Sequence, residues 1–257
     1  MENSAEILGP GRMMECAYAQ VDSLTLLEEQ PVTFQIAMVG RDGLVVGSDR
    51  LAQHMRATNG RQDIPQATRQ AKYFVNDNQS LVCFAAGGAA SPNLARRIAW
   101  ECDPASKLKG ISESEWELAV HRIASTETLP YPVPIDDLLI IRADVTDAFW
   151  LVSRRIVGQN VIFASILKLL KRHHCTGANT DALFLPRHLW TENRSVEELK
   201  RLAVLTLSYA AQEQPQSVGP PFDIMTLDKS GHITWTEHRP RSEKFQAGIE
   251  RLFEKEC

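Results

Sequence analysis

The chain has 257 residues, of which 44% are apolar and 23% are charged, and its formal net charge is −4 at pH 7. This length allows one large domain or two small ones, each with an ordinary hydrophobic core. The slightly acidic balance argues against a nucleic-acid binder or a protein of anionic membrane surfaces, because both need a basic face.

Cysteine usage and the first residues indicate a reducing compartment. The five cysteines are an odd number without paired spacing, and no C-x-x-C zinc signature is present. The N-terminal stretch lacks a basic start followed by an apolar core, and no apolar run reaches the roughly 20 residues that span a bilayer. We therefore expect a cytoplasmic protein, with no metal site and no cofactor.

The first half of the chain predicts strands followed by helices. Residues 1–32 are interpreted as a leader or N-terminal arm, with a short helix around residues 13–29 as one possibility. After them, "TFQIAMVG" and "LVVGSD" flank an Asp-Gly, which is typical of a β-hairpin. Residues 54–70 are polar and are predicted to form a loop. The runs "KYFVND" and "LVCFAAGG" then predict two strands joined by a turn at "NDNQ".

Two capping patterns predict the helices that come next. Ser91 is the expected N-cap of the first helix, with Pro92 in its first turn. Ser112 precedes Glu115 by three residues, the spacing of a capping box, and this predicts a second helix.

The second half repeats the alternation of strands and helices. "DDLLIIRADVTDAFWLVS" predicts two strands around a turn, and its first apolar run implies a strand buried on both faces. "NVIFASILKLLKRHH" is ambiguous, and we predict a strand that gives way to a helix near Ala164. The adjacent His173 and His174 are interpreted as part of a polar loop, which "CTGANTD" continues. Ser195 and Glu198 predict the cap of a long amphipathic helix.

A closing hairpin is expected around the turn "DKSG", followed by a helical C-terminal tail. Blocks of strands thus alternate with blocks of helices. This order favours an α+β fold with antiparallel sheets over a doubly wound parallel sheet.

At this point the chain resembles the β subunits of the proteasome, which are N-terminal-nucleophile hydrolases. "TFQIAMVGRDGLVVGSDR" looks like the first hairpin of that family, in which a threonine opens the strand and an aspartate follows sixteen residues later. "AKYFVNDNQSLVCFAAGGAA", "RSVEELKRLAVLTL" and "GPPFDIMTLDKSGHITW" are similar to later segments of the family, in the right order and spacing. The resemblance implies a four-layer αββα sandwich over residues 33–257.

The resemblance also implies a catalytic site. It places the nucleophile on Thr33, which removal of the leader would expose, the paired aspartate on Asp49 and the lysine on Lys72. Ser165, in "FASI", is a candidate fourth member. The N–H groups of residues 87–88, both glycines, would stabilise the oxyanion.

The implied activity is that of a threonine-type endopeptidase in intracellular protein degradation, acting on peptides or unfolded proteins as a homo-oligomeric ring. No feature of the sequence identifies a regulatory ATPase. An α-amino group titrates near 8, so the amine of an exposed Thr33 is a suitable base without a histidine. Repulsion from Lys72, oriented by Asp49, would lower the proton affinity of that amine further.

Several features leave the activity open. Pro31 and Val32 stand where self-processing family members carry glycine, and a β-branched residue resists a tight turn. The second carboxylate of the family, expected near "LPRHLW", is absent, and Leu51 replaces a common arginine. A structural subunit that keeps its leader is therefore the alternative function, and a small-molecule amidohydrolase is a third.

Each candidate residue also has an interpretation that involves no chemistry. Thr33 is an ordinary strand residue by its β propensity. Asp49 could cap a strand end, and Lys72 could blunt a sheet edge. Ser165 could be structural, and the two glycines are needed for a turn in either case.

Overall fold

A computed structural model describes residues 33–58, 61–87, 91–126, 136–156, 161–169, 173–177 and 181–239. The predicted leader, Gly88 and the predicted C-terminal helical tail lie outside these residues.

The described residues form six strands, two helices, four strands, two helices and two strands. Strand and helix blocks alternate as expected from the sequence, but the first helix of the second pair is not the one predicted near Ala164. The strands are β1 (Phe34–Val39), β2 (Gly43–Asp49), β3 (Leu51–Thr58), β4 (Arg61–Arg69), β5 (Tyr73–Val75), β6 (Leu81–Gly87), β7 (Asp136–Arg142), β8 (Asp147–Ile156), β9 (Val161–Lys168), β10 (His173–Gly177), β11 (Phe222–Asp228) and β12 (Ile233–His238). The helices are α1 (Ser91–Glu101), α2 (Glu113–Thr126), α3 (Phe184–Leu189), preceded by a 3-10 turn at Asp181–Leu183, and α4 (Val196–Glu213).

The strands assemble into two five-stranded antiparallel sheets and a separate hairpin. The first sheet has the order β10-β1-β2-β11-β12, and the second has the order β5-β6-β7-β8-β9. Strands β3 and β4 pair only with each other among the described elements.

Three apolar layers hold the sheets and helices together. Alternate residues of β1 point to opposite sides of the sheet, so Ile36 and Met38 pack against α3 and α4, while Ala37 faces the second sheet. A second layer, centred on Trp116, lies between the second sheet and α1 and α2. The middle layer, which includes Leu44, joins the two sheets. The fold is therefore the predicted four-layer αββα sandwich.

The capping boxes predicted for α2 and α4 are present, and Ser91, the predicted N-cap of α1, is the first residue of that helix. The Ser195 hydroxyl accepts from the Glu198 N–H while the Glu198 carboxylate accepts from the Ser195 N–H, so α4 begins with a complete capping box. Ser112 and Glu115 make the same pair of contacts before α2. The Asp42 carboxylate, in the hairpin between β1 and β2, also accepts from the first N–H group of α4 at 2.7 Å.

Three local predictions were wrong. Residues 54–70, predicted as a loop, mostly belong to the β3–β4 hairpin, where Pro65 is tolerated because each strand of a two-stranded hairpin has an outer edge. The helix predicted near Ala164 does not form, because β9 continues as far as Lys168 in register with β8. His173 and His174, predicted to lie in a loop, lie in β10 and pair with β1.

Candidate active site

The Asp49 carboxylate lies at the end of β2, is fully buried, and accepts four hydrogen bonds. Its Oδ1 accepts from the backbone N–H of Phe34 at 2.9 Å and from Nζ of Lys72 at 2.8 Å. Its Oδ2 accepts from the N–H groups of Leu51 at 3.0 Å and Gly219 at 3.3 Å. Such a set of donors fixes the orientation of the carboxylate and favours its ionised form.

Lys72 comes just before β5, and its side chain is only 7% exposed. Burial lowers the pKa of its amine, and the neighbouring Asp49 carboxylate opposes this shift. Burial likewise raises the pKa of Asp49, against the effect of Lys72 and of two backbone N–H groups. The site thus contains a buried amine whose positive charge is stabilised by the Asp49 carboxylate, 2.8 Å away.

Thr33 precedes β1 and is 6% exposed. Its carbonyl carbon is bonded to the Phe34 nitrogen, the same atom that donates to Asp49. The peptide group after Thr33 is therefore held directly by the carboxylate that binds Lys72. The structure brings Thr33, Asp49 and Lys72 together, as the sequence predicted, from three different segments of the chain.

A row of polar side chains crosses the first sheet beside these residues. Cross-strand partners share one face of a sheet, and the register aligns Thr176 of β10, Gln35 of β1, Ser48 of β2 and Asp223 of β11. All four are nearly or fully buried. We call them the polar row. They lie on the face of the sheet that is directed toward the second sheet.

An arginine neutralises one end of the polar row. The Arg50 guanidinium binds both oxygens of Asp223, at 2.8 and 2.5 Å, and reaches Glu237 at 2.7 Å. These contacts raise the pKa of Arg50 and keep it charged. At the other end, Oε1 of Gln35 and Oγ1 of Thr176 are buried without a hydrogen-bond partner among the described residues.

The remaining predicted site residues have different positions. Gly87 ends β6, opposite Asp136, whereas Gly88 lies outside the described residues. Ser165 lies in β9 and pairs with Val152 of β8. Strand β9 is three strands from β6 in the second sheet, which corresponds to roughly 14 Å at the usual strand spacing. The structure therefore does not bring Ser165 to the Asp49–Lys72 pair.

The sequence did not predict that residues of β10 lie beside the start of β1. Gly177 pairs with Phe34, and Thr176 pairs with Gln35. Because "HHCTG" was interpreted as a loop, its neighbour in the sheet could not be assigned. Gln35 was also missed, although a glutamine inside the apolar run "TFQIAMV" is itself a signal of a buried polar contact.

The residues that the structure describes contain neither a candidate metal site nor a candidate membrane-spanning helix. No group of three or more His, Cys, Asp or Glu side chains in this part of the chain could hold a metal ion. No helix in the same part is both long enough and apolar enough to cross a membrane.

No family model matches the chain, and neither does any curated protein. Among solved structures, a mutant of Anbu from Hyphomicrobium sp. strain MC1 matches with a TM-score of 0.61 and 11% sequence identity, over 87% of this chain and 94% of that one. Anbu (ancestral beta-subunit) from Yersinia bercovieri matches with a TM-score of 0.56 and 15% identity, over the same shares.

A second structure of Anbu from Hyphomicrobium sp. strain MC1 matches with a TM-score of 0.57 and 11% identity. At such low identities, the similarity concerns the fold alone. It agrees with the resemblance inferred from the sequence. The chain has the proteasome-like N-terminal-nucleophile hydrolase fold.

Proposed function

We propose that the chain is a proteasome-like threonine-type endopeptidase subunit of intracellular protein degradation, with Thr33 as nucleophile after removal of residues 1–32. One observation carries the proposal. The buried Asp49 carboxylate binds Lys72 at 2.8 Å and also holds the peptide group that follows Thr33. A threonine whose backbone is tied to a buried lysine–carboxylate pair has the surroundings that nucleophilic catalysis requires.

In this proposal the Thr33 hydroxyl attacks the carbonyl carbon of the scissile peptide bond. Its proton passes to the free α-amine of Thr33, whose proton affinity is lowered by the nearby ammonium of Lys72. The proton then goes to the leaving amine, and water hydrolyses the resulting ester with the same amine as base. Asp49 keeps Lys72 oriented throughout. The N–H groups at residues 87–88 would donate to the oxyanion.

The assembly and setting follow from the same proposal. Peptides or unfolded proteins would be the substrates, and a homo-oligomeric ring would enclose the sites. The composition of the chain suits a cytoplasmic location. The proposed mechanism gives Ser165 no part, since β9 is three strands from β6 in the second sheet.

A specific observation favours a second candidate, a structural subunit that keeps its leader. Pro31 and Val32 precede Thr33, and neither offers the flexibility that an attack on the preceding peptide bond would need. Thr33 is also only 6% exposed. A subunit of this kind would assemble but would not hydrolyse peptides.

Intact-mass measurement of the purified full-length protein separates the two candidates. The peptidase proposal expects a species that begins at Thr33, hydrolysis of fluorogenic peptides, and loss of both in Thr33→Ala. A protein that keeps every residue ahead of Thr33 and remains inert supports the structural subunit instead. Trimming that continues in Thr33→Ala would identify a contaminating protease.

The assembly is tested by sedimentation velocity. A ring gives one large species at micromolar concentration for both the wild type and Thr33→Ala, because the substitution removes only a hydroxyl and a methyl group. A monomer under these conditions would contradict the ring.

A further inference from the structure

Gln35 occupies an unusual position for an amide side chain. It is fully buried, is the second residue of β1, and lies two residues after Thr33. Its Nε2 donates across the gap between the sheets to the carbonyl oxygen of Ala85 in β6, at 2.8 Å. Its Oε1 is buried without a partner among the described residues. Half of the amide is thus unsatisfied, and a buried unsatisfied group destabilises the folded state.

The Ala85 peptide connects Gln35 to Lys72. The Ala85 N–H donates to the Lys72 carbonyl at 2.8 Å, while the Ala85 carbonyl accepts from Gln35. Lys72 in turn donates from Nζ to Asp49, which also accepts from the Phe34 N–H. Since Phe34 and Gln35 are consecutive residues, the contacts close into a ring.

We name this closed circuit the site ring, and it passes through Phe34, Asp49, Lys72, Ala85 and Gln35. The ring crosses between the two sheets twice, once as the Lys72–Asp49 ion pair and once as the Gln35–Ala85 hydrogen bond. One crossing is the candidate catalytic pair itself. The other crossing is made by a side chain to which no role has been assigned.

The geometry points to Gln35 as a positioning residue, which fixes β6 and Lys72 relative to the strand that begins after Thr33. This inference rests on the proposed function and deepens it. Two residues beyond Ala85, β6 ends at Gly87, one of the two proposed oxyanion donors. The hydrogen bond from Gln35 to Ala85 thus helps to place Lys72 and Gly87 relative to the nucleophile. Its loss permits β6, together with β5 and β7 to which it is paired, to shift relative to β1 while the apolar layers keep the sandwich folded.

The test uses Gln35→Leu in the full-length protein, with Ile36→Val as the matched control. Ile36 is the next residue in β1, is equally buried, and packs against the helices on the opposite face of the sheet. We expect Gln35→Leu to lower kcat about 10–100-fold, the usual effect of a misplacement near 1 Å, without a change in KM or in melting temperature. Ile36→Val should leave kcat unchanged. A kcat for Gln35→Leu within twofold of wild type would overturn the inference.

A second variant adds a readout that a purely structural role would not produce. In Gln35→Glu the buried carboxyl group can donate to Ala85 only when it is protonated. The ratio of the kcat of this variant to that of the wild type should therefore rise as the pH falls. A ratio that stays constant with pH would count against the hydrogen bond to Ala85 as the source of the effect.

A third measurement keeps the inference testable if the wild type proves inert, an outcome that would refute the proposed function alone. Lysine labelled at the carbon beside Nζ reports the titration of Lys72 by NMR, with Lys72→Met to assign the signal. The site ring predicts that Gln35→Leu shifts this titration and that Ile36→Val does not. Identical curves for the wild type and Gln35→Leu would overturn the inference, whatever the activity.

Discussion

The space between the two sheets is apolar at one end and polar at the other. At the apolar end, Val39, Leu44, Leu227 and Ile233 lie side by side across the first sheet. Four residues further along β1, roughly 13 Å away, the polar row occupies the same face. The same strands therefore carry two different kinds of layer.

The two ends have different energetic roles. Burial of apolar surface stabilises the sandwich, by about 2–3 kcal/mol for a fully buried leucine. Burial of the charges and amides at the other end costs free energy unless every group finds a partner. Two atoms of the polar row have none among the described residues. This difference indicates that stability is concentrated at the apolar end, whereas the polar end carries the residues of the proposed function.

The largest expected effect is at the polar end, from Lys72→Met. This change leaves the fully buried Asp49 carboxylate without its counter-charge, so we expect a loss of about 3–5 kcal/mol in the free energy of unfolding, measured by chemical denaturation. The double variant Asp49→Asn with Lys72→Met removes both charges and should recover most of the loss. If the double variant is as unstable as the single one, charge burial is not the cause.

A truncated side chain at the apolar end should destabilise the protein without changing kcat. Leu44→Ala opens a cavity in the middle layer and should cost about 2–5 kcal/mol, again measured by chemical denaturation. The proposed function expects kcat to remain at the wild-type value well below the melting temperature. A drop in kcat as large as that of Gln35→Leu would show that the two ends are not independent.

His174 marks the boundary between the two ends and should make stability depend on pH. It pairs with Ala37, and its ring packs against that of Trp150, with centroids 4.1 Å apart and planes tilted by 34°. The Trp150 indole N–H donates to Asp137. Burial, and to a lesser degree the adjacent His173, lowers the pKa of His174 to about 4. In the unfolded chain its pKa is near 6.5, so the unfolded state binds more protons between these values.

The consequence is a loss of stability as the pH falls from about 6.5 to 4, of up to about 3 kcal/mol, with no effect of this group above that range. His174→Phe keeps an aromatic ring against Trp150 but cannot be protonated. The difference in unfolding free energy between the wild type and this variant should therefore change with pH only in this window. A difference that is constant from pH 4 to 8 would refute the assignment.

The sequence predicted the parts of the fold that local chemistry determines. The Ser195–Glu198 capping box and the Asp-Gly hairpin depend on residues within a few positions of each other, and both are present. The order of strand and helix blocks also followed from local patterns. The convergence of Asp49 and Lys72 was predicted only through the resemblance to a family, because no local pattern joins residues so far apart.

The errors have a common physical cause, which is tertiary pairing. The run around Ala164 has good helix formers, yet it forms a strand because β8 offers a paired edge. His173 and His174 looked like loop residues, but β1 provides the partner that makes β10. Gln35 was overlooked for the same reason, since its partner Ala85 is fifty residues away and in the other sheet.

The smallest expected effect comes from a contact outside both ends. Ser195→Ala removes half of the capping box of α4 and should cost about 1 kcal/mol, which corresponds to a fall of roughly 2–4 °C in melting temperature for a domain of this size. Glu198→Gln is the control, because its amide oxygen can still accept from the Ser195 N–H. The loss in unfolding free energy measures the contribution of an ordinary polar contact at the surface, with which the effects at the two ends can be compared. If Ser195→Ala lowered kcat as well, activity would follow global stability, and the separation between a stabilising end and a chemical end would not hold.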